Sequence, residues 1–382
     1  MRLPRGFKAS AIAAGIKPSG KLDLGAVFSR TPLYWSLVST EHSFRAPCVS
    51  RNRARFTSGQ SVHGIVVNSG NANAATGEQG IWDNEDFAGL STNALSAGRV
   101  QNILTASTGV VGKRLPIEHI RDTLPELAKS MHDTSDAFAE AIMTTDTTPK
   151  QVAVTMQGGA RIVGVAKGSG MIHPNMATML VFVMTDADIA QEKLREVWGD
   201  ICANTFNQIT VDGDTSPNDM ALVFSSHEVT VDEGEFISAL SAICERLTQK
   251  IARDGEGATK LLTVQVQGAR NLEEARIASR AIAKSPLVKS AVHGNDPNWG
   301  RILTAIGASD AVSEMASLMI GLQGVTVFQG SPRPYDEKAL SDAMKTEEVV
   351  ISVDLGIGNG AAKAWGCDLT AEYVRINADY TT

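Results

Sequence analysis

Cysteine is scarce. Cys48, Cys202, Cys244 and Cys367 are the only four in 382 residues, and no two form a CxxC pair. That spacing gives no basis for a disulfide framework or a zinc site of the usual ligand pattern, so a reducing cytoplasm is the expected setting. Sustained basic blocks are also missing. With a net charge of −7 the chain lacks the long-range field that phosphate-backbone binding needs, and nucleic acid is not an expected partner. Nor does any apolar run reach the roughly 20 residues that a membrane-spanning helix requires, so no membrane partner is expected. The alanine-rich stretch from Ala9 to Ile16 follows Arg2, Arg5 and Lys8 as a signal peptide would, but Lys17 ends it after too few strongly apolar residues. It reads as ordinary chain. What the sequence does have is 43% hydrophobic residues over a length that suits two domains or one large layered one.

Short β-forming runs, "GIVVNSG", "RIVGVAKG", "MLVFVMTD", "MALVFSS", "LLTVQVQG" and "EVVISVDLG", alternate with stretches of helical character, "NEDFAGLSTNALSAG", "HIRDTLPELAKSMHDTSDAFAEAI" and "EGEFISALSAICERLTQKIARDG". This pattern predicts a mixed α/β protein. In the last helix Phe236, Leu240, Ile243, Cys244, Leu247 and Ile251 recur at helical spacing, which predicts one face laid on a sheet. "QGSPRPYDEKAL" (329–340) reads as a surface excursion.

Two glycine motifs invite cofactor readings and fail them. "STGVVGKR" (107–114) has too short a glycine gap for a phosphate loop and places Arg114 where the magnesium-binding hydroxyl should follow Lys113. "KGSGMIH" carries His173 in place of the third glycine of a dinucleotide fingerprint. The clusters "NSGNANAATG" (68–77) and "HGNDPNWG" (293–300) read first as turns; the sharper reading puts Gly70 and Asn71, or Asn295 and Asn298, in a pocket wall. The seven histidines are scattered without HxxxH or HExxH spacing, so no metal site is expected, and "GSG" is not the GxSxG elbow of a serine triad.

Thr178 stands at a seam. Gly168, Gly170, Pro174 and Asn175 precede it as breakers, and an apolar β run follows. The plain reading is a threonine that opens a strand. The chemical one is a nucleophile whose nearest base is its own α-amine, available once the Ala177–Thr178 bond is cut.

"KGSGMIHPNMATML" resembles the self-cleavage segment of the ornithine acetyltransferase family, the bifunctional glutamate N-acetyltransferases also called ArgJ. "VVNSGNANAATGEQG", "ASTGVVGKRLP", "AIMTTDTTPK", "FNQITVDGDTSPND", "DGEGATKLLTVQV", "SPLVKSAVHGNDPNWGRI" and "GCDLTAEYVRINADYTT" follow in that family's order, so the likeness covers almost the whole chain. The resemblance implies an α/β layered sandwich related to the N-terminal-nucleophile hydrolases. It implies cleavage into an α chain (1–177) and a β chain (178–382) that stay together, typically as α2β2. The implied reaction moves acetyl from N2-acetylornithine to glutamate through an acetyl-threonine at Thr178, with Thr108 and Gly109 holding the oxyanion. Substrate contacts carry over to Thr144, Lys167, Thr178, Glu256, Asn377 and Thr382. No metal or prosthetic group is implied.

Residues 21–60 follow the family loosely, and Ala75 stands where relatives often carry cysteine; the first departure bears on subunit packing and substrate access. Several readings stay open on sequence alone: a form that also takes acetyl-CoA, a paralogue with another acyl acceptor, a self-cleaving amidohydrolase or aminopeptidase that releases acetate to water, and a non-catalytic protein in which Thr178 merely begins a core strand.

Overall fold

Among the described residues, thirteen strands in two sheets account for the β-forming runs. The computed structural model describes residues 1–95, 103–173 and 179–379. Within them the first sheet holds β1 (Phe7–Ile12), β2 (Leu24–Ser39), β3 (Val62–Asn71), β4 (Ile103–Val110), β5 (Lys150–Thr155), β6 (Arg161–Lys167), β7 (Leu180–Asp188) and β8 (Met220–Thr230). The second holds β9 (Leu261–Ala269), β10 (Met319–Leu322), β11 (Val325–Gln329), β12 (Glu348–Asp354) and β13 (Gly360–Cys367). Their orders are β4-β3-β2-β8-β7-β6-β5, with β1 beside β2, and β11-β10-β12-β9-β13. The expected layered α/β architecture is borne out, and each of the six quoted β runs lies in a strand.

β7 shows why the run after residue 178 is apolar without interruption. Val181 and Val183 point into one core, with Ile162, Leu240 and Leu247, while Leu180, Phe182 and Met184 point into another, with Ile65, Phe138 and Phe224. A strand alternates its side chains between faces, so one covered on both sides reads as a continuous hydrophobic stretch. Helix Glu233–Arg253 covers the first of these faces. The six residues predicted for its apolar stripe are all buried, each worth about 1.5–3 kcal/mol before conformational entropy is subtracted, and Asp232 caps its start by accepting from the Glu235 amide at 2.8 Å. The same helix also meets β9 and β13, and so ties the two sheets together.

β2 is long because it serves two partners. Leu24–Phe28 pairs with β3 and Tyr34–Ser39 with β8, with a register shift between Phe28 and Leu33 around Pro32. In consequence β8 and β7 are inserted between β2 and β6, so strands from before and after residue 178 interleave in one sheet.

The long helical reading of 119–142 is corrected. It divides into helices Ile117–Lys129 and Asp136–Ala141, because the Ser130 hydroxyl bonds back to the Glu126 and Leu127 carbonyls and His132 then pairs with Ala9 beside β1. The predicted excursion 329–340 is largely exposed, with a short helix starting at Glu337. The alanine-rich run near the N-terminus supplies part of β1, hydrogen-bonded to β2. Among the described residues no helix is long and apolar enough to cross a membrane.

Candidate active site

The C-terminal end of β6 and the start of β7 mark one rim of a small cavity. Lys167 pairs with Leu180 across β6 and β7, and Leu180 pairs with Met220 on β8. The cavity, about 80 Å³, is walled by Thr108 and Gly109 from β4, Thr144, Lys167, Glu256 and Asn377. These residues come from five separate stretches of the sequence. Each of them was expected at the site, and the fold brings all six together. Thr178, Ala177 and Thr382, the remaining expected positions, lie outside the described residues.

Gly109 owes its place to its missing side chain. Its φ is +130°, and a Cβ there would sit 2.4 Å from the Gly70 carbonyl carbon and 2.6 Å from the Asn71 nitrogen. Gly70 and Gly109 are themselves register partners in the parallel β3–β4 pair. In the cluster "NSGNANAATG" it is Ala72 that lines the cavity, whereas Gly70 and Asn71, the residues read as wall, act through their close approach to Gly109. The cluster "HGNDPNWG" is structural: Asn295, at φ +54°, caps helix Pro286–Gly294 and accepts a hydrogen bond from the Lys260 ammonium at 2.5 Å.

Behind the cavity lies a buried charge cluster that no sequence motif announced. The Asp146 carboxylate accepts from Lys150 Nζ at 2.6 Å, from the Gly168 amide at 2.7 Å and from the Thr144 amide at 3.0 Å, with Lys167 Nζ 3.8 Å away. Lys150 also reaches Asp254 at 2.5 Å, and Lys167 donates to Thr144 Oγ1 at 2.8 Å. Burial alone would push the Asp146 carboxyl up, but the ammonium groups of Lys167 and Lys150 outweigh it and hold the group well below the usual carboxylate range. Burial lowers the Lys167 pKa, with Asp146 opposing. Asp146 thus works against the loss of positive charge that burial imposes on Lys167.

Asp146→Ala is expected to cost about 3–5 kcal/mol in urea unfolding, because it strands buried positive charge. The sign with pH follows. A depressed folded pKa means that the stabilisation is complete above the unfolded carboxylate value, near 4, and is lost as pH falls below it. The gap between the unsubstituted protein and Asp146→Ala should therefore narrow only in strongly acid solution.

An acidic residue, Glu256, lines the same cavity. Glu256 Oε2 accepts from Asn377 Nδ2 at 2.8 Å, and the Glu256 amide donates to the Ser169 carbonyl at 3.0 Å. Gly170 makes room for this carboxylate, since a Cβ there would lie 2.3 Å from it. Gly257, at φ +69°, lets helix Ala371–Asp379 approach so closely that a Cβ would meet the Tyr373 nitrogen at 2.5 Å. Those two glycines bring Asn377 to Glu256.

The His173 imidazole pairs with Thr210 Oγ1 at 3.1 Å, and burial lowers its pKa to about 4. Beside it the Asp212 carboxylate accepts from the Met171 amide at 2.6 Å and the Ile172 amide at 2.9 Å, pinning the chain that leads to residue 174. On the far side of residues 174–178, Asp219 Oδ1 accepts from the Met179 amide at 2.9 Å. Sequence reasoning assigned no role to Asp146, Lys150, Asp212, Asn218 or Asp219, although all five lie in segments quoted above as family-like. Among the described residues no group of His, Cys, Asp and Glu is arranged to hold a metal ion.

The chain is similar to known proteins along its whole length. The model of the ArgJ family matches residues 8–382. The "Arginine biosynthesis bifunctional protein ArgJ" of Thermus thermophilus is 52% identical over 383 residues, covering 100% of both chains. That of Deinococcus radiodurans is 50% identical over 380 residues, covering 99% of this chain and 97% of its own. A solved chain of the Bacillus halodurans protein of the same name is 45% identical with a TM-score of 0.51, and covers 53% of this chain and 100% of its own. With one family model spanning it from residue 8 to its end and relatives at half identity along its length, the chain belongs to the ArgJ family.

Proposed function

We propose that this chain is a self-cleaving glutamate N-acetyltransferase of arginine biosynthesis, which moves acetyl from N2-acetyl-L-ornithine to L-glutamate. The observation that carries the reading is the meeting of Thr108, Gly109, Thr144, Lys167, Glu256 and Asn377 around one cavity at the end of β6, in a member of this family. Water cleaves the Ala177–Thr178 bond and frees the Thr178 α-amine. Thr178 Oγ then attacks the acetyl carbonyl of the donor, and its proton passes to that amine. Thr108 and Gly109 hold the oxyanion. Collapse breaks the carbon–nitrogen bond, the proton goes to the leaving nitrogen, and ornithine departs from an acetyl ester on Thr178. The glutamate amine attacks this ester by the reverse sequence, which makes the kinetics ping-pong.

The two proposed fragments, 1–177 and 178–382, remain one protomer because β7 and β8 lie between β2 and β6. A fragment beginning at Thr178 is just over half of the chain, the same share that the complete Bacillus halodurans chain covers. Pairing of two such protomers as α2β2, a cytoplasmic location and independence from metals or prosthetic groups belong to the same proposal. Since the relatives are named bifunctional, acetyl-CoA is a second acetyl donor in this reading, and release of free CoA with glutamate present measures it.

Purified enzyme with N2-acetylornithine and glutamate is expected to yield N-acetylglutamate; acetate in its place would favour the amidohydrolase reading. Glu256 and Lys167 put one charge of each sign on the wall, which suits a site that takes ornithine and then glutamate in turn. Glu256→Gln keeps the shape and removes the negative charge. It is expected to lower kcat/KM for acetylornithine roughly 10–100-fold, the scale of one charged hydrogen bond. The half-reaction with glutamate should change much less. Equal losses in both would remove Glu256 as the partner of the ornithine side chain.

A further inference from the structure

Asn218 carries an unspent acceptor at the cavity. It sits in the turn before β8, is 3% exposed, and lines the same cavity as Thr108 and Lys167. Its Nδ2 donates to the Ala72 carbonyl at 2.7 Å and to the Ser107 carbonyl at 2.9 Å. Two carbonyl neighbours settle which end of the amide is nitrogen, since only N–H can face both. Oδ1 is therefore the end left over, and it is buried without a hydrogen-bond partner among the described residues. A buried amide oxygen left unpaired costs about 1–3 kcal/mol.

The other groups of the wall narrow what Oδ1 is for. Lys167 is already bonded to Thr144, Glu256 already accepts from Asn377, and the clamp holds the Ser107 carbonyl immediately before Thr108. A ligand atom that meets Oδ1 must donate a hydrogen. In the acetyl transfer proposed above, on which this inference rests, one nitrogen does so in both half-reactions. It is the amide N–H in the acetylated donor and the amine N–H in the attacking acceptor. A carboxamide oxygen does not titrate in this range, so it holds either form without competing for the proton that the transfer itself moves.

We propose that Asn218 Oδ1 accepts the hydrogen of the substrate nitrogen that carries or receives the acetyl group, so that one side chain aligns this nitrogen and fixes the strand bearing Thr108. The test compares N2-acetylornithine with its ester counterpart, in which oxygen replaces the N–H, on the unsubstituted enzyme and on Asn218→Ala, using cleaved protein only. The read-out is kcat/KM for acetyl transfer to glutamate. The substitution is expected to cost about tenfold or more with the amide donor and several-fold less with the ester, which has no hydrogen to lose. Equal losses with both donors would overturn the proposal and leave Asn218 a purely structural clamp. Asn218→Ser, which keeps a small polar side chain, is measured alongside should the alanine variant fail to fold or mature, and is judged by the same ratio. Absence of transfer from the amide donor by the unsubstituted enzyme would overturn the acetyltransfer reading, whereas a normal rate there with equal losses in the variant strikes only the role of Asn218.

Discussion

Thr178→Val is expected to run as a single uncleaved band on a denaturing gel and to lower acetyl transfer by on the order of 10⁴-fold or more, the scale seen when a covalent nucleophile is removed. Valine keeps the β-branched shape and the strand preference of threonine and loses only the hydroxyl. The neighbours of this position should be undisturbed. Met179 stays tied to Asp219, and β7 keeps its pairing with β6 and β8 through backbone groups that the change does not touch. A variant folded as well as the parent, uncut and inert, is the outcome that the nucleophile assignment requires. In the unsubstituted protein the smaller fragments should include one whose N-terminal sequence is "TMLVFV". If Thr178→Val still turned over at a comparable rate, or if the parent proved fully active while uncut, the hydroxyl would not be the group that takes the acetyl.

What was legible in the sequence depended on how local the signal was. The stripe Phe236 to Ile251 was readable because a helix repeats its inward face every three to four residues, and β7 was readable because an unbroken apolar run has few other uses in a soluble layer. The break after Lys129 was not, since it depends on a hydroxyl turning back on its own helix and on Ala9 arriving from far away in the sequence. The site divides in the same way. Thr108, Gly109, Thr144, Lys167, Glu256 and Asn377 were placed by resemblance, and nothing in their spacing reveals that they share a cavity. Asp146 and Lys150 stand in "TTDTTPK" with no spacing that marks them as a buried pair. Only the fold turns that pair inward against Lys167 and Asp254.

Gly109→Ala should show how little freedom β4, the strand proposed to hold the oxyanion, has. A methyl group there would stand 2.4 Å from a backbone carbon of Gly70, and the residue would keep a φ of +130° that L side chains rarely adopt. Neither neighbour is the loose end of a side chain, so β3 and β4 themselves must part. The expected loss is about 3 kcal/mol of stability from overpacking and strain together, and at least about 100-fold in kcat from misplacing an oxyanion donor. Gly89→Ala is the matched control. Gly89 lies inside helix Gly77–Leu95 with nothing within 4 Å of the new Cβ, so the same methyl group should raise stability by about 0.5–1 kcal/mol and leave kcat unchanged. Opposite signs for one chemical change, read by urea unfolding and by N-acetylglutamate formation, would locate the effect in the Gly70–Gly109 approach. A Gly109→Ala enzyme that keeps its kcat would show instead that this strand can yield while the amide at 109 stays in place, and would overturn the strain argument made from the Gly70–Gly109 approach.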